Sequence, residues 1–190
     1  MNKKLFEIKI SSEKIFKGKI VKLYVDKVKL PNNKIVTREK VTHPGAVCVV
    51  PINKEGKIML VKQFRYPLGS TLLEIPAGKL GRGEDPRDCA ARELKEEIGA
   101  EEGRLIHLID FYTSPGFCDE ILYLYLALDF EKKENNLDDD EFLEVFELKL
   151  RDAPSYIENG KIKDAKTIIG ILLARDYLSR RVKIDKKSKK

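Results

Sequence analysis

Residues 78–100, GKLGRGEDPRDCAARELKEEIGA, fix both ends of a helix and then set charge against it. Asp85 is a good N-cap, and Pro86 suits the first helical position, where a backbone N–H has no helical partner anyway. Gly99 is a natural residue just past the C-terminus. Ala90, Leu94 and Ile98 recur as one apolar stripe, so the spacing predicts a helix over 86–98 that must bury that stripe against another layer. Glu93, Glu96 and Glu97 crowd its last turns. Glu93 lies i+3 from Glu96 and i+4 from Glu97, so the three share a face and repel one another. Helix carbonyls make that end electronegative already, a penalty of ~0.3–1 kcal/mol per carboxylate. Arg92 can pair with Glu96 at i+4, which relieves part of the cost. A solvated acidic face is the ordinary reading of such a run. A divalent cation explains more, because clustered carboxylate oxygens are the ligands hard cations prefer and a +2 charge cancels both conflicts.

The rest of the chain supplies the layers. Residues 4–30 alternate apolar and polar and read as two or three strands, with a turn at 31–34 before another at IVTREKV. GAVCVVPI and KIMLVKQF read as strands joined by NKEG, and TLLEIPAG as one short strand ending in the Gly-containing loop. LIHLIDFYTS and EILYLYLALDF flank the loop PGFCDE, and FLEVFELKL follows an acidic loop. APSYIENG and DAKTIIGILLARDYL read as helices. Strands dominate early and helices late, which predicts a mixed α+β fold. The expected organisation is a strand-rich region at 1–43, a main domain at 44–180 and a basic, flexible tail at 181–190.

A length of 190 residues is ample for a single core. Three cysteines, Cys48, Cys89 and Cys118, show no metal-ligand spacing, so buried thiols and a reducing cytoplasm are expected rather than a disulfide framework. No apolar run approaches the roughly 20 residues of a membrane span, and the first residues lack the apolar core of a signal peptide. The net charge of +6 gathers at RRVKIDKKSKK without interleaved aromatics, so no specific nucleic-acid partner is expected.

Gly78, Glu84 and the run Arg92-Glu93-Leu94-Lys95-Glu96-Glu97-Ile98-Gly99-Ala100 resemble the complete Nudix box, G-x5-E-x7-R-E-U-x-E-E-x-G-U. At average residue usage, the chance of that match at a given start is on the order of one in 10⁸ or less. The resemblance implies an α/β/α sandwich around a mixed sheet and hydrolysis of a nucleoside diphosphate joined to a further moiety. It implies Mg²⁺ as cofactor, with Mn²⁺ or another divalent cation as alternatives. Glu93 and Glu97 would be principal ligands, with Glu96 bridging or assisting through water and the Ala77 carbonyl as a further ligand. Arg92 would orient the glutamates, and Glu84 would act structurally near the helix start.

The segments REKVTHPGAVCVVPI, VKQFRYPLGSTLLEIPAGKL, YTSPGF and NGKIKDAKTIIGILL extend the resemblance to ADP-ribose pyrophosphatases, with Pro115 fifteen residues beyond Ala100. The implied reaction takes ADP-ribose and water to AMP and ribose 5-phosphate; another nucleoside diphosphate sugar is the alternative. A non-catalytic nucleotide- or nucleic-acid-binding regulator is the rival from another class, and the intact box argues against it. Arg38, Arg65, Glu74, Pro115 and Gly116 are the candidate substrate contacts. The place some relatives give to an adenine-stacking aromatic holds Ile20, which leaves the base contact open between more aliphatic packing and Phe16 or Tyr24. A base from the acidic loop is implied, with Asp139 and Glu141 both open. The resemblance further implies a homodimer with exchanged N-terminal strands.

Overall fold

In the computed structural model, residues 5–133 and 142–187 are described, with side chains through Arg181. The strands are β1 (Ile8–Lys17), β2 (Lys22–Lys29), β3 (Ile35–Thr42), β4 (Ala46–Pro51), β5 (Lys57–Arg65), β6 (Ser70–Glu74) and β7 (Ala77–Lys79). After α1 (Pro86–Ile98) come β8 (Ala100–Glu101), β9 (Arg104–Tyr112), β10 (Ile121–Leu128), β11 (Glu131–Lys132) and β12 (Leu143–Lys149), then α2 (Ala153–Glu158) and α3 (Ala165–Lys187). The segment expected as a flexible tail thus contributes backbone to α3 as far as Lys187.

The chain divides into two compact units. One comprises the described residues up to Gly45 together with Tyr112–Ile121. It is an antiparallel meander in the order β1-β2-β3. In it, the turn that carries Pro115 and Gly116 is stitched to the end of β3, where Val41 N–H donates to Phe117 O at 2.7 Å and Asp119 N–H to Val41 O at 3.2 Å. Every residue of β1 is exposed.

The other unit, Ala46–Phe111 with the described residues from Leu122 onward, is organised by β4. β4 is buried at all positions, the pattern of a strand covered on both faces. With a side-chain period of two, Ala46, Cys48 and Val50 enter one core, with Ile58, Leu60, Leu124, Leu126, Ile162, Ile171 and Ala174. Val47 and Val49 enter a second core, with Met59, Val61, Cys89, Ala90, Leu94 and Ile98. Helix α1 therefore covers one side and α2 and α3 the other, giving the expected α/β/α sandwich. Its sheets are β7-β4-β10-β9, with β4 parallel to β10 and antiparallel to β7, and antiparallel β12-β5-β6.

TLLEIPAG does not form the single strand its composition predicts. β6 pairs with β5 and ends at Glu74, whereas β7 pairs with β4 from Ala77. Pro76 has no N–H for a ladder, so the chain changes sheets there. That change brings Glu74 and Ala77, on two different sheets, to either side of the same short connection.

Candidate active site

The loop after β7 closes on itself before α1 begins. Gly81 N–H donates to Glu84 Oε2 at 2.7 Å, and Glu84 N–H to Gly81 O at 3.2 Å. Asp85 then caps α1 by accepting from Arg87 N–H at 2.8 Å, with Pro86 in the first turn. Gly99, at φ 65°, ends the helix and donates its N–H to the Leu94 and Lys95 carbonyls. The expected stripe is buried, but so are two carboxylates: Glu93 is 6% exposed and Glu97 4%. A solvated acidic face does not describe them.

Both point at β7. Gly78 packs so closely on the Glu93 carboxylate that a methyl group at that Cα would lie inside it. Glu97 Oε2 accepts from Ala77 N–H at 3.3 Å. Arg92 gathers the remaining charge: Nε and Nη2 donate to the two oxygens of Glu84 at 3.0 and 3.3 Å, and Nη1 lies 2.8 Å from both Glu96 Oε2 and Glu93 Oε1. The Arg92 donors, helped by Gly81 N–H, hold the Glu84 carboxyl down at about 2. Hydrogen bonding to Glu84 in turn raises the guanidinium's pKa, with Glu93 and Glu96 adding to the effect. The i,i+4 pairing of Arg92 with Glu96 is thus formed.

Among the described residues, no three His, Cys, Asp or Glu side chains form a closed cation cage. The donor set still fits a hard divalent cation: two buried carboxylates face a strand whose glycine leaves them room, with the Ala77 backbone beside them. Glu96, bound by Arg92, is a third carboxylate one turn away.

A second charged cluster lies beyond Ala77. Glu74, 1% exposed, accepts from Arg65 Nε and Nη2, each at 2.7 Å, and also from Lys166 Nζ. Burial pushes the Glu74 carboxyl up, but the Arg65 and Lys166 donors outweigh it and leave the pKa below the usual range. Lys166 also bridges to Asp164 Oδ2 at 3.1 Å. The charge of Glu97 reaches Arg65 as well, so the two clusters are electrostatically joined. Among the described residues, every buried side-chain N or O has a hydrogen-bond partner.

The structure therefore gathers Ala77, Arg92, Glu93, Glu96 and Glu97 around β7 and the last turns of α1, with Arg65 and Glu74 adjoining through Glu97. Arg38, on β3, forks onto Glu7 at 3.0 and 2.6 Å. Pro115 and Gly116 occupy the turn after β9. Phe16 and Ile20 are exposed, and Lys14 and Lys40 sit 5.8 and 5.0 Å from the Tyr24 ring centroid. Asp139 and Glu141 lie outside the described residues. Sequence reasoning missed Asp164, Lys166 and Thr167, although Asp164 and Thr167 have the N-cap and N3 spacing of a helix start. Burial pushes the Cys48 and Cys89 thiols up to about 12, so both are inert core residues.

A model of the NUDIX domain matches residues 42–168. The chain is 53% identical over 171 residues to a methanol dehydrogenase activator of Bacillus methanolicus, covering 88% of this chain and 92% of the relative. It is 50% identical over 171 residues to an ADP-ribose pyrophosphatase of Bacillus subtilis (strain 168), covering 89% and 92%. A crystal structure of an ADP compounds hydrolase, 21% identical, superposes with a TM-score of 0.84 over 93% of this chain and 97% of that one, and so shares the fold.

Proposed function

Because the chain belongs to the NUDIX family, we propose that it is a hydrolase that cleaves the diphosphate of ADP-ribose to AMP and ribose 5-phosphate. The observation that carries this reading is the pair of buried carboxylates, Glu93 and Glu97, set against β7 in a chain half identical to an ADP-ribose pyrophosphatase. The activity depends on a divalent cation, and Mg²⁺ is the one proposed, with Mn²⁺ as the alternative. When bound, such a cation neutralises the diphosphate and lowers the pKa of water.

The chain's own residues divide the remaining work. Glu93 and Glu97, with the Ala77 carbonyl, would supply oxygens to the cation, and Glu96, held by Arg92, would assist through water. Arg92 holds the glutamates at defined rotamers, so little reorganisation is left for the reaction itself. Arg65, whose Nε and Nη2 are held by Glu74, has Nη1 to offer to a phosphate. Asp139 or Glu141 takes the proton of the attacking water. Arg38, Pro115 and Gly116 are proposed substrate contacts on the resemblance alone.

A homodimer with exchanged N-terminal strands, and a cytoplasmic setting, belong to the same proposal. Exposed Ile8, Ile10, Ile15 and Phe16 on the edge strand β1 support the first, since such an edge invites pairing with another chain. Three free cysteines support the second, and no described helix is long and apolar enough to cross a membrane. Light scattering on the purified chain tests the dimer; a monomer at micromolar concentration removes it.

The function is tested by hydrolysis of ADP-ribose, ADP-glucose, GDP-mannose, NADH and diadenosine compounds with Mg²⁺. ADP-ribose is expected to have the highest kcat/KM, and equal rates or none overturn the assignment. A second reading follows from the Bacillus methanolicus relative, in which the chain also activates a methanol dehydrogenase. Unchanged alcohol oxidation on adding the chain to such an enzyme removes it.

A further inference from the structure

We propose that Thr167, held by Asp164, is a positioning residue that fixes the backbone carrying Ala77, and through it the Glu97 carboxylate. The proposal rests on the hydrolytic reading of that site. Thr167 is completely buried in the first turn of α3. Its hydroxyl donates to Asp164 Oδ2 at 2.6 Å, and its own N–H donates to the same oxygen at 2.9 Å. A hydroxyl has one proton, so Asp164 fixes its rotation and turns a lone pair toward the Ile75 N–H, which donates to Thr167 Oγ1 at 2.9 Å.

Ile75 begins the connection between β6 and β7, where the chain leaves one sheet for the other. Three groups hold the backbone there. Thr167 Oγ1 holds Ile75 N–H, Val49 N–H holds Pro76 O at 2.9 Å, and Glu97 Oε2 holds Ala77 N–H at 3.3 Å. Removing the Thr167 hydroxyl frees the upstream end of this three-residue span, and the bond to Glu97 is at its downstream end. Lys166 ties Glu74 to the same turn through Asp164, so both sides of the connection answer to the start of α3.

Packing independently shows that α3 is seated on this segment. A Cβ at Gly170, one turn beyond Thr167, would meet Val50 Cγ2 at 2.8 Å and Ile75 Cδ1 at 3.0 Å. A side chain at Gly170 would force Val50 and Ile75 to shift, so the glycine lets the helix sit close on this segment.

The test compares Thr167→Val, which keeps the shape and removes the hydroxyl, with Thr167→Ser, which keeps the hydroxyl. The full chain is assayed for ADP-ribose hydrolysis across Mg²⁺ concentrations, and amide hydrogen exchange at Ile75 and Ala77 is measured without the cation. Thr167→Val is expected to lower kcat ~10–100-fold with KM little changed, the size of effect a misplacement near 1 Å produces. It should also raise the Mg²⁺ concentration needed for half-maximal rate, and speed exchange at Ile75 and Ala77 about tenfold or more relative to α1 amides. Thr167→Ser should restore every readout. Unchanged kcat and exchange in Thr167→Val overturn the proposal, as does a Thr167→Ser variant as impaired as Thr167→Val. Should Thr167→Val not fold, Asp164→Ala decides: it releases the hydroxyl, so faster Ile75 exchange with reduced kcat supports the proposal and unchanged values defeat it. If the unaltered chain hydrolyses nothing, the functional reading fails, and the exchange measurements still decide the clamp.

Discussion

Two charged clusters lie side by side in the second unit, and their balance differs. At Arg65, Glu74, Lys166 and Asp164, two cations meet two carboxylates. At Arg92, one guanidinium serves Glu84, Glu93 and Glu96, and Glu97 adds a further buried carboxylate nearby. The first cluster is electrically complete and can act as scaffold. The second sets several carboxylates around one guanidinium at a helix end that disfavours negative charge, and on the proposed function a divalent cation would offset it. Burial makes this difference consequential, because water screens neither Glu93 nor Glu97.

Substitutions in the two clusters should therefore fail differently. Glu97→Gln is expected to cost about 3–4 kcal/mol of transition-state stabilisation, on the order of 10²–10³-fold in kcat. Its melting temperature should hold or rise, since the amide oxygen can still accept from Ala77 N–H while one crowded charge disappears. Glu74→Gln should instead act chiefly on stability. Weakening a buried carboxylate shared by two cations is expected to lower unfolding free energy by about 2–3 kcal/mol, the lower range because Arg65 is 40% exposed. Denaturant titration checks it, and equal stability would remove the scaffold reading.

Gly78→Ala sharpens the contrast without altering charge. The methyl group must displace the Glu93 carboxylate, so activity should fall ~10–100-fold while the fold persists. The smallest effect is expected at Glu84, whose carboxyl is held down at about 2. A depressed folded pKa contributes stability that is complete above the unfolded value of 4.5 and is lost as pH falls toward 2. Stability of Glu84→Gln should therefore depend less on pH between about 5 and 2 than that of the unaltered chain; parallel curves would contradict the Arg92 pairing.

Much of this was legible before any coordinates. Asp85, Pro86 and Gly99 mark the helix ends because capping is local chemistry, and the stripe Ala90-Leu94-Ile98 gives its buried face. The apolar run GAVCVVPI reads as a strand, and its burial on both faces emerges only from the structure. What stayed hidden depends on contacts distant in sequence. Nothing local distinguishes buried Glu93 and Glu97 from a solvated face; their contacts on β7, Gly78 and Ala77 well upstream, decide it. Likewise Thr167 meets Ile75 across 92 residues, which no periodicity reveals. The division of TLLEIPAG was readable in principle, since Pro76 cannot donate to a ladder.

On the proposed function, the Arg92 cluster, and not the Arg65 cluster, holds the divalent cation. Mn²⁺ binding, followed by the loss of the free-ion electron paramagnetic resonance signal, tests it most directly on the unaltered chain, Glu97→Gln and Glu74→Gln. Glu97→Gln is expected to weaken binding by about tenfold or more, through loss of a charged ligand, while Glu74→Gln changes it far less. Glu97→Gln binding Mn²⁺ as tightly as the unaltered chain would contradict it.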